Sequence, residues 1–276
     1  MYNEYKVKPF IFAGRKPNLE ILFPLLTSPI IDEILVGVNT RNITDVEFIQ
    51  QYAKTDTRIK LINIPSTIIR TVSAYSYMFS QMTDEDTIYV KIDDDILYLS
   101  DNFFEQLIQF RYEHPEFLLV YPFIVNNPWC NYIGRFLAAR YDNPSDVMYH
   151  SWADAKIAYF LLRAFAEGKL SLTHIANSII DASNTFYRHE INDIVRPNIN
   201  VIAFFGKDNY NMGWHSKMRN SRSDEYYLVH DIYNDPSMHR KSIIYTKPVA
   251  VHYSFCRQAA ILNQLDILAY YKNRRG

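Results

Sequence analysis

The sequence predicts an α/β protein, a single domain in which helices flank a mostly parallel central sheet. Two observations carry this. Three strand–helix units follow one another over the first 82 residues, and a fourth strand-like run, TIYVKIDDDI over residues 87–96, ends in three consecutive carboxylates. Successive βα units need crossover connections and so imply a parallel sheet. At 276 residues the chain is long enough to bury a sizeable core as one domain.

The first strand is VKPFIFA, residues 7–13, and Gly14-Arg15-Lys16-Pro17 turns into a helix that runs to Leu26. Residues 30–39 form the second strand, and 44–54 an amphipathic helix capped by Thr44 or Asp45. Residues 59–64 form the third strand, and residues 71–82 the helix after it. In the fourth, Ile88, Val90 and Ile92 share one face and Tyr89 and Lys91 the other, the period of a strand. In parallel sheets ligands bind beyond the carboxyl ends of the strands. The loops there supply Ala13, Gly14, Arg15, Asn39, Arg41, Arg70 and the three aspartates. Arg70, just before a helix, would bring a guanidinium and a helix N-terminus to a diphosphate, with a plain surface arginine as the alternative. Gly14 and Arg15 would approach a nucleotide, or simply make a turn.

Three adjacent carboxylates repel by roughly 1 kcal/mol per pair at 4 Å even in water, so Asp93, Asp94 and Asp95 call for a cation. Asp93 and Asp95 fall on one side of an extended backbone and Asp94 on the other. The first two suit Mg²⁺ or Mn²⁺, which bind through one or two carboxylates and substrate phosphates. A solvated acidic strand end, or a cap for the helix that follows Ser100-Asp101, is the competing reading.

Beyond the acidic tip, 101–114 reads as a helix and 117–125, FLLVYPFIV, as a strand too uniformly apolar to lie at an edge. It runs into Asn126-Asn127-Pro128-Trp129, where Trp129 is a candidate sugar platform or a ring packed under a loop. Residues 151–168 are helical with a glycine stop, and 181–196 are mixed. His189-Glu190 lacks a second histidine at helical spacing, which removes the zinc-protease reading. Residues 200–206 form a strand, and the polar, aromatic segment 207–222, with Trp214, is a candidate lid. Ser223-Asp224-Glu225 opens a helix, where paired acids either favour the dipole or present a general base. Residues 248–255 form a strand carrying His252, and 258–272 a terminal amphipathic helix. The basic tail of Lys272, Arg274 and Arg275 suits the end of that helix.

Composition excludes several classes. A net charge of −1 argues against nucleic acid as a partner. Two cysteines, Cys130 and Cys256, make no disulfide framework, and no apolar run approaches a membrane span, so a cytoplasmic protein is expected. The 22 tyrosines and 17 phenylalanines suit sugar stacking, though packing accounts for most of them.

The apolar strand with Asp93-x-Asp95 at its tip, the acid pair Asp224-Glu225 and the late His252, in that order, resemble the GT-A (Rossmann-like) fold of metal-dependent glycosyltransferases. The resemblance implies a donor of the UDP- or GDP-sugar type and a glycan or other hydroxyl acceptor. It implies that Mn²⁺ or Mg²⁺ is held by Asp93, Asp95 and His252, with Asp93 also contacting the ribose and Asp94 lying beside the donor. Asp224, and after it Glu225, would be the base of an inverting displacement, and Trp129 and Trp214 would touch the acceptor. Residues 1–126 would then be the donor half and 127–276 the acceptor half. The sequence departs from bacterial family-2 enzymes, which have Pro-x-Tyr/Asn after the first strand where Gly14-Arg15-Lys16 stands here. Ile92-Asp93-Asp94-Asp95 also resembles the nucleophile motif of haloacid-dehalogenase phosphohydrolases, with Asp93 as nucleophile. A carbohydrate-binding GT-A protein without turnover is the non-enzymatic alternative.

Overall fold

The computed structural model describes residues 2–182, 186–188, 193–195, 197–234 and 239–273. His189 and Glu190, part of the mixed segment 181–196, and Arg274 and Arg275 of the basic tail lie outside them. The first part runs β1 (Lys6–Ala13), α1 (Lys16–Leu22), β2 (Ile34–Val38), α2 (Ile43–Tyr52), β3 (Ile59–Asn63), α3 (Val72–Ser80) and β4 (Thr87–Ile92). Then come β5 (Ile96–Leu99), α4 (Phe103–Glu113), β6 (Val120–Val125), α5 (Pro128–Ile133), α6 (Pro144–Ala153) and α7 (Ala155–Ala166). Three short strands follow, β7 (Ile179–Asp181), β8 (Phe186–Arg188) and β9 (Asp193–Val195). The last third holds β10 (Val201–Phe205), α8 (Gly206–Met212), α9 (Trp214–Lys217), α10 (Asp224–Val229), β11 (Ile243–His252), α11 (Cys256–Leu262) and α12 (Ile267–Asn273).

Among the described residues the main sheet has the order β3-β2-β1-β4-β10-β6-β11-β5, with β7 added beside β11. β3, β2, β1 and β4 are parallel, as the repeated βα units predict. β10 then enters antiparallel between β4 and β6. β1, β4, β6 and β10 are buried almost throughout, because helices cover both faces, and their sequences are correspondingly apolar runs. β6 is interior, as its composition requires.

Several elements differ from the sequence reading, each for a local reason. The cap of α2 is Asn42, whose side chain accepts from Thr44 N at 3.0 Å; Asp45 instead accepts from Lys16 N at 3.0 Å and ties α2 to α1. The single helix of 151–168 is broken at Asp154, which caps α7 by accepting from Lys156 N at 2.8 Å; Gly168, at φ +71, lies just past its end. The segment read as a lid is instead short helices anchored from below. Trp214 is 0% exposed, its ring centroid 5.1 Å from Phe204 and 6.3 Å from Phe79. The terminal helix is two, α11 and α12. β5 has no counterpart in the sequence reading: the four residues ILYL after the acidic tip pair antiparallel with the end of β11, His252 opposite Ile96. No helix among the described residues is long and apolar enough to cross a membrane.

Candidate metal and donor site

β4 delivers the three aspartates to the sheet's carboxyl edge, and neighbouring backbone fixes them there. Asp93 N donates to Asn200 O at 2.8 Å, and Tyr253 N donates to Asp95 O at 2.9 Å. The three side chains then part. Asp94 turns to the end of β1, accepting from Gly14 N at 3.0 Å and Arg15 Nε at 3.0 Å. The same guanidinium reaches Asp95 Oδ2 at 3.1 Å. Asp93 pairs with Lys91 through Oδ1 and accepts from Asn200 Nδ2 at 3.1 Å through Oδ2.

His252 comes in from β11. Its Nδ1 lies 3.3 Å from Asn126 O, so the ring donates through Nδ1 and turns Nε2 toward Asp95 Oδ1, 3.4 Å away. Asn126 adopts φ 61 and ties the loop after β6 to the end of β11, donating to Tyr253 O at 3.0 Å and Gln258 Oε1 at 3.2 Å. Burial works against the charge on Asp95, but His252 and Arg15 outweigh it and hold the carboxyl at about 2. Burial likewise opposes the His252 imidazolium, and Asp95 reverses that, leaving its pKa raised.

One ligand atom from each of Asp93, Asp95 and His252 falls within 4.8 Å of the others. Asp95 Oδ1 is buried and faces His252 Nε2 across the ion pair, an oxygen already stripped of water. Two carboxylates and an imidazole whose proton is held on its far nitrogen fit a divalent cation of the Mn²⁺ or Mg²⁺ kind.

These groups open onto a groove of 620 Å³. Of the residues singled out in the sequence, Gly14, Arg15, Asn39, Arg70, Asp93, Asp94, Asp95, Glu225 and His252 line it. Arg70, at φ 60, is held by its N–H donating to Asn39 Oδ1 at 2.7 Å. Ala13 is fully buried behind the wall, and Arg41 points away, donating to Ser66 O at 3.0 Å. Asp224, placed ahead of Glu225 in the sequence, is 7% exposed and does not line the groove. Burial raises its carboxyl, Lys91 opposes that, and Asp93 adds to it. The two tryptophans expected at the acceptor are elsewhere. Trp129 is 4% exposed on α5 and Trp214 lies in the core, so neither presents a ring to the groove.

Sequence reasoning passed over a polar frame beneath the site. Lys91, buried, donates to Ile199 O at 2.8 Å as well as to Asp93. Asn127 Nδ2 donates to Asn200 Oδ1 at 3.0 Å, and Asn198 Nδ2 to Glu225 Oε1 at 2.8 Å. The signals were the lysine in an otherwise apolar strand and the Asn198-Ile199-Asn200 spacing, which puts both amides on one side of an extended chain. Phe12 and Tyr75, edge to face with centroids 4.7 Å apart, add an aromatic wall.

A parallel β3-β2-β1-β4 half, a reversed strand beside it and an acidic strand end facing the groove make up the GT-A fold. Comparison with solved structures agrees. A mannosyltransferase from Pyrobaculum calidifontis in complex with GDP-Man and Mn²⁺ is 13% identical, with 99% of this chain and 65% of that one covered and a TM-score of 0.53. GalNAc-T7 with UDP, GalNAc and Mn²⁺ is 9% identical over 92% of this chain and 44% of that one, with a TM-score of 0.54. A CMP:2-keto-3-deoxy-manno-octonic acid synthetase complexed with CTP is 10% identical over 98% and 99% of the two chains, with a TM-score of 0.49 that is too low to bear on the fold. No family model and no curated protein matches the sequence.

Proposed function

We propose that this protein is a glycosyltransferase that moves a sugar from a UDP- or GDP-type donor to a hydroxyl of an acceptor such as a glycan, using Mn²⁺ or Mg²⁺. The observation that carries the reading is the meeting of Asp93, Asp95 and His252 in the groove that Glu225 also lines, within a GT-A fold. When bound, the cation neutralises charge that develops on the leaving diphosphate. The chain's own residues do the rest. Arg70 stands on the groove wall as a guanidinium partner for the diphosphate, while Arg15, bound to Asp94 and Asp95, fixes the two carboxylates beside it. Glu225, held by Asn198 at 2.8 Å, takes the proton of the acceptor hydroxyl as its oxygen attacks the anomeric carbon. The diphosphate leaves from the opposite face, so the configuration inverts. Asp224, buried and outside the groove, is a supporting group in this scheme. Residues 1–126 serve the donor and 127–276 the acceptor, with His252 crossing over to the cation.

The phosphohydrolase alternative makes Asp93 a nucleophile in a motif that ordinarily ends a first strand, whereas here Asp93 follows the fourth, β4. The test is thermal unfolding with UDP, GDP, CMP and dTDP, each with and without Mn²⁺, followed by assay of donor turnover. A ligand at 100 times its Kd stabilises by about 2.7 kcal/mol. A shift that needs both one nucleotide and Mn²⁺ is expected; no shift with any pair refutes the proposal.

A further inference from the structure

The loop joining α5 to α6 and the first turns of α7 line a cavity of 310 Å³, at the lower end of the roughly 300–1,000 Å³ typical of small-molecule sites. It shares no lining residue with the donor groove. Its floor is apolar and fixed. Leu137 and Ile157 are buried, and Phe136 meets Phe123 of β6 edge to face, with centroids 5.9 Å apart. Phe160 also lines the cavity and is 55% exposed, although its neighbours Leu161 and Leu162 are completely buried. Single exposed rings are ordinary, but this one borders a concave apolar surface, where a ligand would remove both from water.

The polar part of the lining has one sign. Arg140, from the loop, and Lys156, one turn before Phe160 on α7, line the cavity, and among the described residues no carboxylate does. Neither cation is ion-paired among the described residues. Arg140 stands over the Tyr141 ring at 5.5 Å. Asp154, the acid nearest Lys156 in sequence, is turned to the amides of Lys156 and Ile157 as the cap of α7, and Asp142 does not line the cavity. Two unpaired cations beside an apolar hollow, in a chain of net charge −1, complement an anion that carries hydrocarbon. The lining has no amide, hydroxyl or imidazole side chain, so nothing there orients a neutral sugar or reads the edge of a nucleobase. Both cations are exposed, which leaves the anionic head at the wet rim while the chain lies on Leu137, Ile157 and the two phenylalanines. We propose that this cavity binds the alkyl chain of an amphiphile with a carboxylate or phosphate head, at a site separate from the donor groove and independent of glycosyl transfer.

The test uses the full chain without donor or metal. It is titrated calorimetrically, below the micelle concentrations, with dodecanoate, dodecyl phosphate, neutral dodecyl maltoside and cationic dodecyltrimethylammonium. At least one of the anions should bind one to one and at least tenfold more tightly than the neutral and cationic chains, and which anion binds names the head. The double variant Arg140→Gln, Lys156→Gln should erase that preference, and Phe160→Ser should weaken the anion at least tenfold. These are exposed side chains, so both variants should melt within about 2 °C of wild type. Ala139→Glu sets a carboxylate on an exposed part of the lining and should weaken the anion alone. The Mn²⁺-dependent nucleotide shift should be unchanged in every variant, because none of these positions lines the groove. The proposal is overturned if neither anion binds, if the maltoside or inorganic phosphate binds as tightly, or if the variants leave affinity as it was. Sedimentation with phosphatidylglycerol vesicles without binding of any monomer would also overturn it, by making the patch a membrane contact.

Discussion

Asp95→Asn separates what the carboxylate does for the fold from what it does for a cation. Holding Asp95 at about 2 against an ordinary 3.8 corresponds to about 2 kcal/mol of folded-state stability at 1.36 kcal/mol per pKa unit. The folded value lies below the unfolded one, so this contribution is complete above about pH 5 and fades as pH falls toward 2. On the alkaline side His252 sets the limit. Its pKa is raised, so the pair's stability is whole below the ordinary 6.5 and declines once pH passes the folded value. In EDTA at pH 6, Asp95→Asn should therefore melt below wild type by roughly 4–8 °C. The gap should close toward pH 2–3 and narrow again in alkali. With Mn²⁺ and the cognate nucleoside diphosphate, wild type should gain stability and the variant should not. Calorimetry across pH, with and without metal, reads both. Parallel curves at every pH would falsify the ion-pair argument, and a full Mn²⁺-dependent shift in the variant would remove Asp95 from the metal site.

Glu225→Gln should cut kcat by roughly 10²–10⁴-fold while leaving the Mn²⁺-dependent nucleotide shift unchanged; a kcat within threefold of wild type takes the base role from it. Lys91→Met removes the donor to Asp93 and to the buried Ile199 carbonyl and should cost roughly 1–3 kcal/mol, seen in urea unfolding at pH 7. A midpoint equal to wild type would show the lysine to be dispensable. Trp214→Ala should cost roughly 3–5 kcal/mol, and Trp214→Phe far less, because the indole fills core between Phe79 and Phe204. Neither should alter the KM for an acceptor; a raised KM in the folded Phe variant would return Trp214 to the substrate.

How far the sequence could be read depended on how local the cause was. The parallel strands and the acidic tip were legible because alternation and charge repulsion act within a few residues. β5 was missed because ILYL, four apolar residues, carries no period of its own and becomes a strand only beside β11. The choice between Asp224 and Glu225 turns on about 100° of rotation per residue in the first turn of α10, set by packing the sequence does not display. Trp129 and Trp214 were misplaced for the same reason: a tryptophan after Asn-Pro or Gly reads equally as platform or plug, and only the neighbouring rings decide.

Insertion of β10 between β4 and β6 has a consequence for how the molecule comes to be. Asp93 meets Asn200 across 107 positions of chain, and Asn126 meets His252 across 126. Loop closures of that length are slow steps in folding, and none of them is available to a nascent chain that has emerged only as far as the aspartates. The acidic tip is thus synthesised early and completed last. On the proposed metal site, uptake of Mn²⁺ during refolding should track the slowest phase, so that the cation would report the finished protein rather than act as a nucleus around which it forms.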